Sequence, residues 1–180
     1  MARAPRDPQP GIYHLTARSV SLMPLFQDDV DRMDFNRQLG NLAKRPKWAC
    51  LAACLMTTHY HLLVEVQDES LPIGVQQLNS RYAQRFNARH ALRGHVFASR
   101  YWSRLIESEE HLLTAFRYLA RNPVAAGLCD GPADWPWSSY ASAVGLRNDY
   151  PWCRPHIILA YFGRPAAAAI RRLQTFVEAP

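Results

Sequence analysis

His59 and His61 stand two apart in the run His59-Tyr60-His61-Leu62-Leu63-Val64-Glu65-Val66. That run reads as a β-strand, so both imidazoles leave the same face of a sheet. Neutral imidazoles placed in this way can share one divalent ion. For an isolated His-x-His, two unrelated histidines at a strand end is the plainer account. Further along, Tyr118 and Asn122 are four apart on an expected helix and therefore lie on one helical face. Taken singly, an Asn directly before Pro123 is most simply a C-terminal cap, and a mid-helix Tyr an amphipathic core residue. Whether the four can work together depends on the elements that carry them.

Gly11 to Arg18 alternates with period two and predicts a half-buried strand. Asp28-Asp29 opens a helix reaching about Leu42, striped by Val30, Met33, Leu39 and Leu42 and stopped by Pro46. Trp48 to Met56 is a continuous apolar run, the pattern of a buried central strand; Thr57-Thr58 interrupts it before the strand at His59. A second helix spans roughly Ile73 to His90, with Val75, Leu78, Tyr82 and Phe86 as its apolar stripe. Val96 to Glu107 predicts another strand. Ser108 is a fitting N-cap, with Glu109 and Glu110 in the first turn of a helix that Pro123 and Gly127 end. Gly131 to Tyr140 is an aromatic-anchored loop, and short helices are expected around 156–161 and 166–176. The order is strand, helix, strand, strand, helix, strand, helix. An α+β fold accommodates it: a ferredoxin-like split β-α-β antiparallel sheet with helices packed on one face, plus a C-terminal helical extension.

The chain has 180 residues, 48% hydrophobic and 20% charged, enough for one domain with a real core. No apolar run approaches the roughly 20 residues of a membrane span, and Met1 to Arg6 does not read as a signal peptide, so a cytoplasmic protein is expected. Cys50, Cys54, Cys129 and Cys153 show no C-x-x-C pairing and read as small buried side chains rather than zinc ligands. The formal charge is +6, and its distribution says more than its size. Residues 71–106 contain no acid but six arginines: Arg81, Arg85, Arg89, Arg93, Arg100 and Arg104. An acid-free arginine block points to a polyanionic partner, because the guanidinium fork pairs phosphates and releases counterions. A solvated face is the alternative for Arg81, Arg85 and Arg89, as core packing is for Tyr82 and Phe86.

The motifs assemble into a series. His59-Tyr60-His61 is followed by Leu78-Asn79-Ser80-Arg81-Tyr82-Ala83-Gln84-Arg85-Phe86-Asn87, then by Gly94-His95-Val96-Phe97 with Arg100-Tyr101. Arg117-Tyr118-Leu119-Ala120-Arg121-Asn122-Pro123-Val124-Ala125-Ala126-Gly127-Leu128 and Trp135-Pro136-Trp137-Ser138-Ser139-Tyr140 close it. Over about Gly11 to Gly145 this resembles the single-tyrosine HUH transposases (IS200-like), and especially the REP-associated tyrosine transposases. Three prolines and alternating charges make residues 1–10 read as a flexible arm, and the resemblance implies an HUH catalytic domain at 11–145 and a helical extension at 146–180. It implies His59 and His61 as metal ligands, Asn122 as the third through its amide oxygen, and Tyr118 as the nucleophile. One departure stands out. Relatives commonly carry Met-Pro-Asn before the first His, where this chain has Met56-Thr57-Thr58, so the turn into the metal strand is expected to differ in shape.

The same resemblance implies a metal-dependent enzyme using Mg2+ or Mn2+, cutting and rejoining single-stranded or hairpin DNA through a 5′-phosphotyrosine link. Such an enzyme needs no nucleotide cofactor, works away from membranes, and acts as a monomer or homodimer. Ligand type alone does not choose the metal. Arg81, Arg85, Arg89, Arg93, Arg100 and Arg104 would hold phosphates, while rings such as Tyr82, Tyr101 or Trp102 would stack bases at about 1–3 kcal/mol each. Three other accounts stand beside this one. A domesticated hairpin binder would keep the arginines and lose the chemistry. A cupin would use His59-x-His61-x-x-x-Glu65, and needs a β-barrel. A histidine-triad hydrolase would need a third alternating His, where position 63 is Leu.

Overall fold

The computed structural model describes residues 9–179, so the first eight residues of the expected N-terminal arm lie outside the described residues. The period-two run forms β1 (Gly11–Arg18) and the run that starts at His59 forms β3 (His59–Val66). The apolar run forms β2 (Trp48–Leu55), buried at every position. With β4 (Trp102–Leu105) they make one antiparallel sheet in the order β2-β3-β1-β4. That is the split β-α-β arrangement, with β1 inserted between β3 and β4. Its register sets His61 opposite Thr16, and both Leu63 and Arg104 opposite His14.

Helices α1 (Asp29–Ala43) and α2 (Leu71–Arg89) cover one face, the back. There Tyr13, Leu15, Tyr60, Leu62 and Val64 pack against Phe35, Leu39, Val75, Leu78 and Tyr82. Burying each such side chain contributes about 1.5–3 kcal/mol. The α+β class is the one expected, but helices do not stay on one face. Ala49, Leu51 and Leu63 on the front pack against α3 (Glu109–Ala125) and against α5 (His156–Leu159) and α6 (Ala166–Glu178). The reason lies in β2: a strand apolar on both faces needs cover on both. An open sheet of this kind is not a β-barrel, which removes the cupin account.

Two boundaries moved. The strand expected over 96–107 is confined to Trp102–Leu105, because Val96 and Ala98 bond the backbone of Val20 and Arg18, at and just past the end of β1, and the chain bends at 98–100. Helix α3 runs past Pro123 to Ala125. So late in the helix, proline removes only one intrahelical bond. The ending belongs to Gly127 at φ +67°, with Gly127 N–H donating to Val124 and Leu128 N–H to Pro123, the paired bonds of a Schellman motif.

The free edge of β2 is closed by the aromatic loop before α4 (Tyr140–Ala143). Leu55 N–H donates to Trp137, Trp135 Nε1–H to Leu55, and Ala53 and Ser139 exchange two bonds. A second segment adds Arg154 N–H donating to Cys50.

Candidate metal and tyrosine site

The tight turn of the β2–β3 hairpin brings the His-x-His pair to the corner of the sheet, with Met56 N–H donating to His59. The departure at Thr57-Thr58 is held from outside, since their carbonyls accept from Leu25 and Ser19 respectively. Thr58 Oγ1 also lies 3.2 Å from His59 Nδ1, which leaves Nε2 of that ring uncommitted.

Both imidazoles emerge on the front face, with ring centroids 4.9 Å apart and planes nearly perpendicular. His61 is almost fully buried. Burial holds it neutral, pushing its pKa down to about 2, with His14, His59 and Arg18 acting in the same sense. His59 is likewise pushed down to about 4, by burial and then by Arg18. Neutral rings offer lone pairs, as a cation requires.

Helix α3 crosses this corner and delivers the other two residues. Ser108 caps it, accepting from His111 N–H. Tyr118 is 52% exposed, so it is not a core residue, and its ring centroid lies 5.5 Å from that of His61. Asn122 does not cap the helix, whose C-cap is Ala126. Its amide nitrogen sits 3.3 Å from His61 Nε2, and a half-turn of the amide would bring its oxygen to the same place. Two neutral imidazoles and an amide oxygen fit a divalent cation. Among the described residues no three His, Cys, Asp or Glu converge to hold a metal, so the third protein donor here would be an amide.

Two residues of this corner carry no signal in the local sequence. His14 Nε2 lies 3.0 Å from His61 Nδ1, and the His14 ring meets Trp102 edge-on at 5.6 Å and Tyr118 at 6.1 Å. Burial, then His111 and Arg104, push its pKa down to about 4. The second is Arg18: exposed at the end of β1, it pairs in register with His59 and has no carboxylate partner among the described residues. Period-two alternation placed both on one face of β1; only the pairing of β1 with β3 put that face beside His59 and His61.

The residues expected to hold nucleic acid divide. Trp102 and Arg104 lie on the front, opposite Thr16 and His14. Tyr101, one residue earlier in the pleat, is buried in the back core. It helps to line a cavity on that side and so does not join Trp102 beside the imidazoles. Arg81, Arg85 and Arg89 ride on α2, on the far side of the sheet. Arg85 pairs with Asp34 at 3.2 Å, and Arg89 with Asp28 and Asp31 at 2.6 Å each. Arg93 and Arg100 are exposed in the segment after α2. Arg100 edges a cavity of about 930 Å³ whose lining includes Gln76, Asn79, Ser80 and Phe97. Cys50 and Cys54 are buried, Cys129 and Cys153 half-buried, and all four are free thiols. Among the described residues no helix is long and apolar enough to cross a membrane.

Comparison with known proteins gives three results. The family described as "Transposase IS200 like" matches residues 10–122, a stretch that contains His59, His61, Tyr118 and Asn122. A putative REP-associated tyrosine transposase of Haemophilus influenzae is 25% identical over 101 residues, 50% of this chain and 57% of that protein. The chain thus matches little more than half the length of that relative. A solved structure of a REP-associated tyrosine transposase bound to a REP hairpin aligns with a TM-score of 0.65 at 19% identity, covering 86% of this chain and 91% of the other. At that identity the likeness is one of fold.

Proposed function

This chain belongs to the IS200-like transposase family, and we propose that it is a metal-dependent enzyme that nicks and rejoins single-stranded or hairpin DNA, with Tyr118 as nucleophile. The observation that carries the reading is one distance within a single chain: a half-exposed phenol whose ring centre is 5.5 Å from a buried, neutral imidazole. Hairpin DNA is the substrate class because the solved structure of similar fold holds a REP hairpin.

In this reading the Tyr118 oxygen attacks the scissile phosphorus in line. A new O–P bond forms as the bond to the 3′ oxygen breaks, the phenolic proton is lost to solvent, and the departing oxygen gains a proton. The products are a 5′-phosphotyrosine link and a free 3′-OH. Because the link keeps the phosphodiester's energy, a second 3′-OH can reverse the step with no nucleotide cofactor. His59, His61 and Asn122 would hold Mg2+ or Mn2+, whose charge would stabilise the negative oxygens at the reacting phosphorus. Packing of α3 on the front core fixes the phenol relative to the imidazoles, so orientation is prepared before substrate arrives. Arg18, Arg104 and Trp102 border the site and would meet the strand's phosphates and bases. With phenol and imidazoles in one chain, a monomer suffices for attack in cis.

The test is direct. Labelled hairpin single strands incubated with the protein and Mn2+ are expected to give a covalent adduct that Tyr118→Phe abolishes. An adduct that survives Tyr118→Phe overturns the assignment of the nucleophile. Tight hairpin binding without any adduct would support the domesticated binder instead.

A further inference from the structure

We propose that His14 is a positioning residue that fixes the tautomer of His61, so that His61 presents its Nε2 lone pair to the cation. The inference rests on the reading of His59, His61 and Asn122 as a metal site.

A neutral imidazole carries one proton, on either Nδ1 or Nε2, and only the bare nitrogen can bind a metal. His61 is nearly sealed from water, so its proton must find a partner within the protein. Its two nitrogens face different groups. Nε2 faces the Asn122 amide at 3.3 Å, the side on which Tyr118 and Asn122 meet the pair. Nδ1 faces His14 Nε2 at 3.0 Å. A bare Nε2 therefore requires the proton on Nδ1, and His14 Nε2 is the acceptor in range. His14 must then carry its own proton on Nδ1.

The sheet supplies this partner through its register. Directly opposite His61 stands Thr16, whose hydroxyl is turned to the Tyr60 carbonyl, donating at 2.8 Å, while the His61 Nδ1 contact is made by His14. His14 is the diagonal neighbour two residues along β1, on the same face, and a long side chain spans that diagonal. Trp102, opposite Thr16 on β4, sets an edge against the His14 ring and confines it. The Nδ1 atom of His59 is similarly engaged by Thr58. Both histidines then offer Nε2, each with an outer partner on Nδ1. Partners of this kind raise ligand basicity and fix ring orientation, and their loss typically costs about 10–100-fold in metal affinity.

The experiment uses the full chain, metal-free, with 15N-labelled histidine. Imidazole nitrogen shifts report the tautomer of His61, whose signals are identified by their loss in His61→Gln. Wild type is expected to show the Nδ1–H form. His14→Phe keeps a ring but no acceptor; it should move His61 toward the Nε2–H form and weaken Mn2+ binding about 10–100-fold by titration calorimetry. His14→Gln restores an acceptor oxygen and should bring both readouts back to within a few-fold of wild type. A purely packing role for His14 would leave the tautomer unchanged and would not be rescued by Gln. An Nε2–H tautomer in wild type, or unchanged Mn2+ affinity in His14→Phe, overturns the proposal. Should His14→Phe fail to fold, the wild-type tautomer and the Gln variant still decide. An adduct that survives Tyr118→Phe would remove the proposed reaction and leave the His14 assignment standing.

Discussion

On the back of the sheet Arg85 and Arg89 of α2 reach into the acids of α1, whereas on the front Arg18 and Arg104 stand beside the imidazoles with no carboxylate partner among the described residues. Both surfaces are arginine-bearing, and in sequence the back helix is the more conspicuous. Its charge is nevertheless largely answered within the fold. Arg89 holds Asp28 well below the usual carboxylate range, down to about 2, and is itself held well above its ordinary value by Asp28 and Asp31. A guanidinium already paired must give up those bonds before it can take a phosphate. The front arginines give up nothing. A run free of acids in sequence is thus not a surface free of acids, because α1 and its N-cap contribute Asp28, Asp31 and Asp34 from some 50–60 residues upstream.

That contrast can be broken or sharpened by substitution. The largest effect is expected at the front imidazoles: His61→Ala should lower adduct formation on hairpin DNA by about 100-fold or more, the scale of losing a group that acts at the reacting centre. Quantified adduct yield in Mn2+ checks it. Next comes Arg18→Ala, expected to weaken hairpin binding about tenfold and to flatten the dependence of log K on log salt by about one phosphate contact. Fluorescence anisotropy across a salt series measures both. Arg89→Ala should do the reverse, changing hairpin affinity by less than about twofold while lowering the melting temperature by about 2–4 °C, since it takes the guanidinium from buried Asp31 and leaves that carboxylate only His90 and the Gln27 N–H. If Arg89→Ala instead flattens the salt dependence as much as Arg18→Ala, the division between the two surfaces is wrong.

A separate test of the front imidazoles concerns pH. His14, His59 and His61 all have folded pKa values below that of a free imidazole near 6.5. As pH falls from 6.5 toward 4, the unfolded chain takes up protons that the folded one refuses, so metal-free stability should decline across that window. Above it the slope from these groups should vanish. Denaturant midpoints at a series of pH values provide the measurement, and a midpoint constant between pH 6.5 and 4.5 would contradict the neutral cluster.

Much of this was legible in the chain because it is locally encoded. Alternation marked β1, Ser108 and the two glutamates marked the start of α3, and the spacing of His59 with His61 and of Tyr118 with Asn122 placed each pair on one face. The hidden part depends on pairing across distance. His14 meets His61 over 47 residues through antiparallel register, and no local pattern encodes that meeting. Likewise Tyr101 and Trp102 differ by a single step of pleat, which sends one ring into the core and the other to the front. The front cover of α3, α5 and α6 was foreshadowed by the unbroken apolar run of β2, though the expectation of helices on one face did not use it.

The stitching of residues 135–139 and 154 along β2 leaves the sheet with unlike borders. One margin already has its lattice of donors and acceptors occupied by the chain itself, so an incoming extended segment would have to displace tryptophan-anchored neighbours to annex there. The opposite margin is a four-residue strand, Trp102–Leu105, too brief to template a long ribbon. Growth by strand addition is therefore discouraged at both ends.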